Sequence, residues 1–190
     1  MMRHSVTVVG SLAVLVLASA TACSSANTDD SSSASPSASA SSSGNMDGMH
    51  DMDGGPAPAG LASAENPRFP VGSHVILTAD HMSGMKDAEA EITGAFATNT
   101  YAVDYQPTDG GSMVKDHKWV VQQELQDAGS ERLPDGTPVT IEADHMKGMA
   151  GAKGNIASST DQTVYMVTYT SDGMTMTNHK WVVEDELKAE

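Results

Sequence analysis

Two stretches of this chain repeat one pattern, and the duplication limits the fold more than any other feature. Gly72 through Leu125 aligns with Gly136 through Leu187. The offset is 64 residues as far as Tyr105 and Tyr169 and 62 thereafter, so one loop of the second copy is shorter by two residues. Identical residues occupy 22 of the 52 positions of the second copy, far above chance. Whatever fold the first copy adopts, the second must be able to adopt too.

Within each copy the apolar period is that of strands. Val75 and Leu77 alternate with polar neighbours, as do Val139 and Ile141. Tyr101-Val103-Tyr105 and Tyr165-Val167-Tyr169 place aromatic, aliphatic and aromatic side chains on one face at period two. Asp109-Gly110-Gly111 and Ser171-Asp172-Gly173 are hairpin signals, and Val121–Leu125 has room for one helical turn. No segment sustains a 3.6-residue period, so the fold class is all-β. Each copy has about 55 residues, near the lower limit for a self-sufficient core. The expected architecture is two tandem, separable SH3-like β-barrels, since closure removes exposed strand edges. An OB-like barrel or a small sandwich is the alternative. Repeat 1 is assigned to residues 67–126, a linker to 127–132 and repeat 2 to 133–190. The expected cores are Val75, Leu77, Ile92, Tyr101, Val103, Tyr105, Trp119 and Val121, then Val139, Ile141, Ile156, Tyr165, Val167, Tyr169, Trp181 and Val183.

The amino-terminal part is of another kind. Arg3 and His4 precede an apolar run from Val6 to Ala20, the pattern of a secretory signal over residues 1–22 and short for a spanning helix. Ala20-Thr21-Ala22 leads into Cys23, the only cysteine, which resembles a bacterial lipobox with Cys23 as the lipidated residue. One cysteine excludes an internal disulfide. Residues 23–66 are mostly Ser, Ala, Gly, Asp, Pro and Met, too poor in apolar bulk to offset ordering entropy, and are expected to be a disordered tether. The protein is therefore expected on the extracytoplasmic face of the cell membrane, held by lipid. The formal net charge of −15 becomes −16 once Arg3 is removed with the signal, which argues against nucleic acid as a partner.

Three motifs carry the residues able to do chemistry. Asp-His-Met-x-Gly-Met occurs as Asp80–Met85 and Asp144–Met149, and His-Lys-Trp-Val-Val as His117–Val121 and His179–Val183. The tether holds Met46, Met49, His50 and Met52. Thioether sulfur is a soft ligand and imidazole an intermediate one, so the combination points to copper among extracytoplasmic metals. The candidate ligands are Met46, Met49, His50 and Met52 in the tether, and His81, Met82, Met85, His145, Met146 and Met149 in the repeats. Asp80 and Asp144 are expected to orient the adjacent imidazoles by accepting a ring N–H, and His117 and His179 to cap the core or face a site. The competing reading makes Met82 and Met85 core residues. Neither a nucleophile elbow, a His-Glu-x-x-His motif nor a phosphate loop is present, so no enzyme is expected.

The paired pattern Asp-His-Met-x-Gly-Met, Tyr-x-Val-x-Tyr and His-Lys-Trp-Val-Val-x-x-Glu-Leu, over roughly residues 70–187, resembles the YdhK-like family of small bacterial lipoproteins. That resemblance implies a two-repeat architecture and an envelope location, and lends weight to copper. It brings no established activity. Two functions are thus expected as alternatives: an extracytoplasmic lipoprotein that binds or buffers copper, or a non-enzymatic interaction module whose tandem barrels contact cell wall or another envelope protein.

Overall fold

The computed structural model describes residues 53–190. Among them the fold is all-β, with two short 3-10 turns and no α-helix. The strands are β1 (Ala62–Ser63), β2 (His74–Leu77), β3 (Glu89–Ala97), β4 (Thr100–Gln106), β5 (Val114–Val121), β6 (Pro138–Thr140), β7 (Lys153–Thr160), β8 (Val164–Ser171), β9 (Met174–Val183) and β10 (Leu187–Ala189). The 3-10 turns, Gln122–Glu124 and Glu184–Glu186, follow β5 and β9 and realise the single turn expected after each Trp-Val-Val.

The strands form two antiparallel sheets, and each draws on both repeats. One runs β10-β2-β3-β8-β9, with β1 beside the end of β3, and the other runs β5-β4-β7-β6. An antiparallel bridge from Leu125 to Ile141 in the second sheet mirrors the β10–β2 pairing of the first, where Leu187 lies opposite Leu77. The expectation of two separable barrels is corrected here. The first half of each repeat pairs with the second half of the other, Ile92 opposite Val167 and Ile156 opposite Val103. The physical reason lies in the repetition itself. A β3-type strand meets the same Tyr-x-Val-x-Tyr face in either copy, so the side-chain pattern does not choose between partners. The connections choose: Thr98-Asn99 carries the chain from β3 in one sheet directly to β4 in the other.

Three apolar clusters result. Val75, Leu77, Met85 and Ile92 of repeat 1 pack with Tyr165, Val167, Tyr169, Val182 and Leu187 of repeat 2. Tyr101, Val103, Tyr105, Val120 and Leu125 pack with Ile141, Met149 and Ile156. Between them Trp119, Val121, Val164, Met166, Trp181 and Val183 join the sheets. Every residue expected in the core is buried except Val139, which is half-buried.

The tether also ends earlier than its assigned limit at residue 66. β1 pairs Ala62 with Ala97 and Ser63 with Phe96, Gly54 N–H donates to the Thr177 carbonyl at 2.8 Å, and Ala57 and Leu61 pack on the tryptophan cluster. Leu61 and Ala57 supply apolar surface that the sheet interface can bury, which a Ser/Gly average over the segment conceals.

Candidate functional site

The Asp-His-Met-x-Gly-Met motif is a tight turn that sends its residues in three directions. Met85 and Met149 N–H groups close the turn onto the Met82 and Met146 carbonyls at 3.2 and 3.0 Å. Gly84 and Gly148 have φ of +77°, in the left-handed region, and a Cβ on Gly84 would lie 1.8 Å from Ser171 Oγ of the other repeat. Met85 and Met149 are fully buried, one in each of the two outer clusters. They fill cores and do not reach the cleft described below, so their assignment as metal ligands is corrected. Met82 and Met146 stay on the cleft wall, Met146 with 44% of its surface exposed.

His81 and His145 point inward, each to a carboxylate of the opposite repeat. His81 Nε2 lies 2.8 Å from Glu186 Oε1, and His145 Nε2 lies 2.8 Å from Glu124 Oε1. The other oxygen of each carboxylate accepts two N–H groups. Glu186 Oε2 takes Trp119 Nε1 at 2.9 Å and Val183 N at 3.1 Å, and Glu124 Oε2 takes Trp181 Nε1 at 2.9 Å and Val121 N at 3.1 Å. Each glutamate therefore holds a histidine of its own sheet and a tryptophan of the other sheet. Asp80 and Asp144, expected to orient the imidazoles, are exposed on the cleft wall; Glu186 and Glu124 do that instead. The longer glutamate stem, carried on a 3-10 turn, reaches across to the neighbouring strand end.

Electrostatics follow from this geometry. Burial pushes the Glu124 carboxyl up, but the hydrogen bond and charge of His145, with the Trp181 and Val121 N–H groups, hold it below the usual carboxylate range. Glu186 is lowered in the same way, burial being outweighed by His81, Trp119 and Val183. An ionised carboxylate only accepts, so in the neutral imidazole Nε2 carries the proton and Nδ1 presents a lone pair. Nδ1 of His81 and Nδ1 of His145 are both buried without a hydrogen-bond partner.

His117 and His179 enter the same space from bulged strands. Tyr101 lies opposite Val120 but Val103 opposite His117, and the register slips again before Tyr105 meets Val114. Asp116 (φ +50°) and Asn178 (φ +51°) absorb the second bulge, residue types that tolerate the left-handed region. Asp116 N donates to Asp104 Oδ1 at 2.8 Å, and Asn178 N to Thr168 Oγ1 at 3.1 Å. The two rings pack edge-on against Tyr105 and Tyr169 at 5.8 and 5.7 Å, so they cap the cores and face the cleft at once. The His117 and His145 ring centres are 6.4 Å apart, and His117 Nε2 is buried and unpaired. Burial first, then repulsion by His145 and His81, lowers the His117 pKa to about 4, while Glu124 opposes. His179 falls to about 4 through burial and the charges of His81, His145 and His117.

These residues line one cleft of about 1430 Å³, which also takes in Asp53–Gly55, Lys118, Lys180 and Met176. Among the described residues no three His, Cys, Asp or Glu side chains are grouped so as to hold a metal ion. Cys23, Met46, Met49, His50 and Met52 lie outside the described residues. The residues missed in the sequence are Glu124 and Glu186. Their signal was there: an acid at the same place in both copies, closing a Trp-Val-Val segment that is otherwise apolar.

The pattern of shifts predicts acid lability. His117 and His179 take up a proton near 6.5 when unfolded but only near 4 when folded, so the stability they confer is full above about pH 6.5 and is lost as pH falls toward 4. The gap is worth at most about 3 kcal/mol per ring. Glu124 and Glu186, with lowered values, lose their contribution at still lower pH, in the same direction. Urea midpoints should fall steadily from pH 7 to pH 4.5, and His117→Phe should flatten that slope. A midpoint unchanged down to pH 5 would contradict the assignment of neutral, buried rings.

Fold and site together define a class: a two-repeat, all-β domain with exchanged halves and a histidine-lined cleft braced by two cross-repeat carboxylates. Residues 71–122 and 135–184 match the family described as "Protein of unknown function (DUF1541)", and the chain belongs to that family. It is 54% identical over 134 residues to the "Uncharacterized protein YdhK" of Bacillus subtilis (strain 168), across 70% of this chain and 65% of that protein. The chain thus spans somewhat under two thirds of that relative's length. A crystal structure of YdhK from the same organism superposes with a TM-score of 0.72 at 50% identity, covering 75% of this chain and all of the other. A solution structure described as the C-terminal domain of YdhK gives 0.62 at 54% identity, over 64% of this chain and 94% of that one.

Proposed function

We propose that this protein is an extracytoplasmic, lipid-anchored copper-binding protein whose ion sits in the cleft between the exchanged sheets. The observation that carries the reading is the convergence of four histidines, two from each repeat, with three buried ring nitrogens lacking a partner. Native proteins rarely leave buried nitrogens unpaired without a ligand, water or ion to meet them. Imidazole suits copper, and Met82, Met146 and Met176 add thioether sulfur along the same wall. The neutrality of His117 and His179 favours ligation, because a protonated ring has no lone pair to give. Lys118 and Lys180 stand over the faces of Trp119 and Trp181 at 5.2 and 6.0 Å. Their charge at the mouth favours a singly charged ion over a doubly charged one.

The test is titration of Cu(I) and of Cu(II) into residues 53–190 and residues 24–190, with melting curves for both. Binding in the cleft stabilises the native state by mass action, so the shorter fragment should bind Cu(I) with a clear rise in melting temperature. Binding only by the longer fragment, with no thermal shift, would confine copper to Met46, Met49, His50 and Met52. Binding by neither would favour the envelope interaction module, which should then sediment with cell-wall material without added metal.

The anchor is tested separately. Among the described residues no helix is long and apolar enough to cross a membrane. Cys23→Ala should shift the protein from the membrane fraction to the medium or leave an uncleaved precursor. A processed Cys23→Ala chain that still fractionates with membranes would refute lipid attachment at this residue.

A further inference from the structure

We infer that the cleft holds a two-coordinate imidazole site for a singly charged soft ion between His117 and His145, and that repeat symmetry supplies its counterpart between His179 and His81, each joining the two repeats. The inference rests on the copper reading above and specifies its ligands, oxidation state and number of ions. Four observations carry it.

The spacing is the first. Two imidazoles on one ion, each nitrogen about 2 Å from the metal on opposite sides, have ring centres roughly 6 Å apart. The His117 and His145 rings stand 6.4 Å apart with a 37° tilt. The unpaired atoms are the second. Both rings of this pair keep a buried nitrogen without a partner, Nε2 of His117 and Nδ1 of His145, so binding costs no existing hydrogen bond.

The third is the carboxylate behind each motif histidine. Metal-binding imidazoles usually donate their other N–H to a carboxylate, which fixes the tautomer and raises the basicity of the free nitrogen. Glu124 does this for His145 and Glu186 for His81, both at 2.8 Å. Glu124 and Glu186 are thus positioning residues, held in turn by Trp181 and Trp119 and by a backbone N–H. A carboxylate needed only to satisfy an indole and an amide would not require a histidine at the same place in both copies.

The fourth is repeat symmetry. His81 and His145 are related by the offset of 64, His117 and His179 by the offset of 62, and the ladders that carry them, β2-β3-β8-β9 and β6-β7-β4-β5, correspond strand for strand. By this relation His179 is the counterpart of His117 and His81 that of His145, and Nδ1 of His81 is likewise buried without a partner. A pair of neutral imidazoles suits a soft, singly charged ion. Cu(I), and Ag(I) as its stable d10 counterpart, accept two ligands.

The experiment uses the full chain in detergent, with Met46, Met49, His50 and Met52 changed to Ser so that only the folded part binds. Cu(I) and Ag(I) are titrated against a competing chelator, and the copper-loaded protein is examined by X-ray absorption. The expected result is two ions per chain and a first shell of two nitrogens with no sulfur. His117→Phe, whose ring keeps the contact with Tyr105, should leave one ion, and adding His179→Phe should leave none. Circular dichroism on each variant verifies the fold. Sulfur in the first shell, or a stoichiometry unchanged by His117→Phe in a folded protein, overturns the imidazole-pair assignment while leaving copper in the cleft. No binding by the tail-silenced chain overturns both.

Discussion

Residues 67–126 expressed alone should fail to form a folded monomer, although they contain one complete sequence repeat. In the intact protein β3 pairs with β8 and β4 with β7, and β2 takes β10 on its other side. The isolated repeat loses all three ladders. Val75, Leu77 and Ile92 lose Tyr165, Val167, Tyr169 and Leu187, while Tyr101, Val103 and Tyr105 lose Ile141, Met149 and Ile156. At about 1.5–3 kcal/mol per buried side chain, re-exposing half of each cluster costs on the order of 10 kcal/mol, comparable with the whole stability of a small domain. The expected far-ultraviolet spectrum at micromolar concentration is that of a coil. At high concentration two copies can satisfy each other's edges in place of the missing repeat, so structure should appear together with a dimer in sedimentation. A folded, concentration-independent monomer would refute the exchanged topology. The C-terminal domain of YdhK solved in solution matches 64% of this chain, more than a single repeat supplies, which agrees with the two repeats folding as one unit.

The strands were legible because their signal is local. Period-two alternation around Tyr101-Val103-Tyr105 and Tyr165-Val167-Tyr169, with the Asp172-Gly173 turn, locates β4, β8 and the β8–β9 hairpin. Both turn residues have positive φ, +51° and +76°, as a two-residue hairpin of the primed type demands. Partner choice was not legible, because it is a relation between two nearly identical patterns. Ile92 and Ile156 read alike, and so do Val103 and Val167. Only the path of a short connection between sheets distinguishes pairing within a repeat from pairing across repeats.

The site was half legible for a related reason. His81, His145, His117 and His179 stood out as repeated polar residues beside apolar ones. Which atom each histidine meets depends on the exchange, and the nearest acid in sequence, Asp80 or Asp144, was the natural but wrong partner. Met85 and Met149 misled because a thioether serves a core and a copper ion equally well. Burial separates the two uses, and both residues are fully buried in the clusters that the exchanged halves create.

Glu124→Ala should be among the most destabilising single substitutions in the chain, exceeding what a residue at the end of a 3-10 turn would ordinarily cost. The side chain is 7% exposed and satisfies His145 Nε2, Trp181 Nε1 and Val121 N together. Removing it leaves three donors without their acceptor, two of them on the opposite repeat. Each buried donor left unsatisfied costs about 1–3 kcal/mol, so a loss of roughly 3–6 kcal/mol is expected. Glu124→Gln keeps one acceptor oxygen and similar volume but gives up the charge that the imidazole and indole donors meet, and should cost about half as much. The decisive measurement is a double-mutant cycle with Trp181→Phe, which removes the indole donor and retains an aromatic ring in the sheet interface. With the donor gone, Glu124→Ala should cost less by about 1–2 kcal/mol than it does in the native background. Strict additivity would mean that Glu124 and Trp181 act independently, and that the carboxylate does not bind the two sheets together. The same cycle on Glu186 and Trp119 should give a smaller coupling, because Glu186 at 17% exposure and Trp119 at 8% are more open to water than Glu124 and the fully buried Trp181.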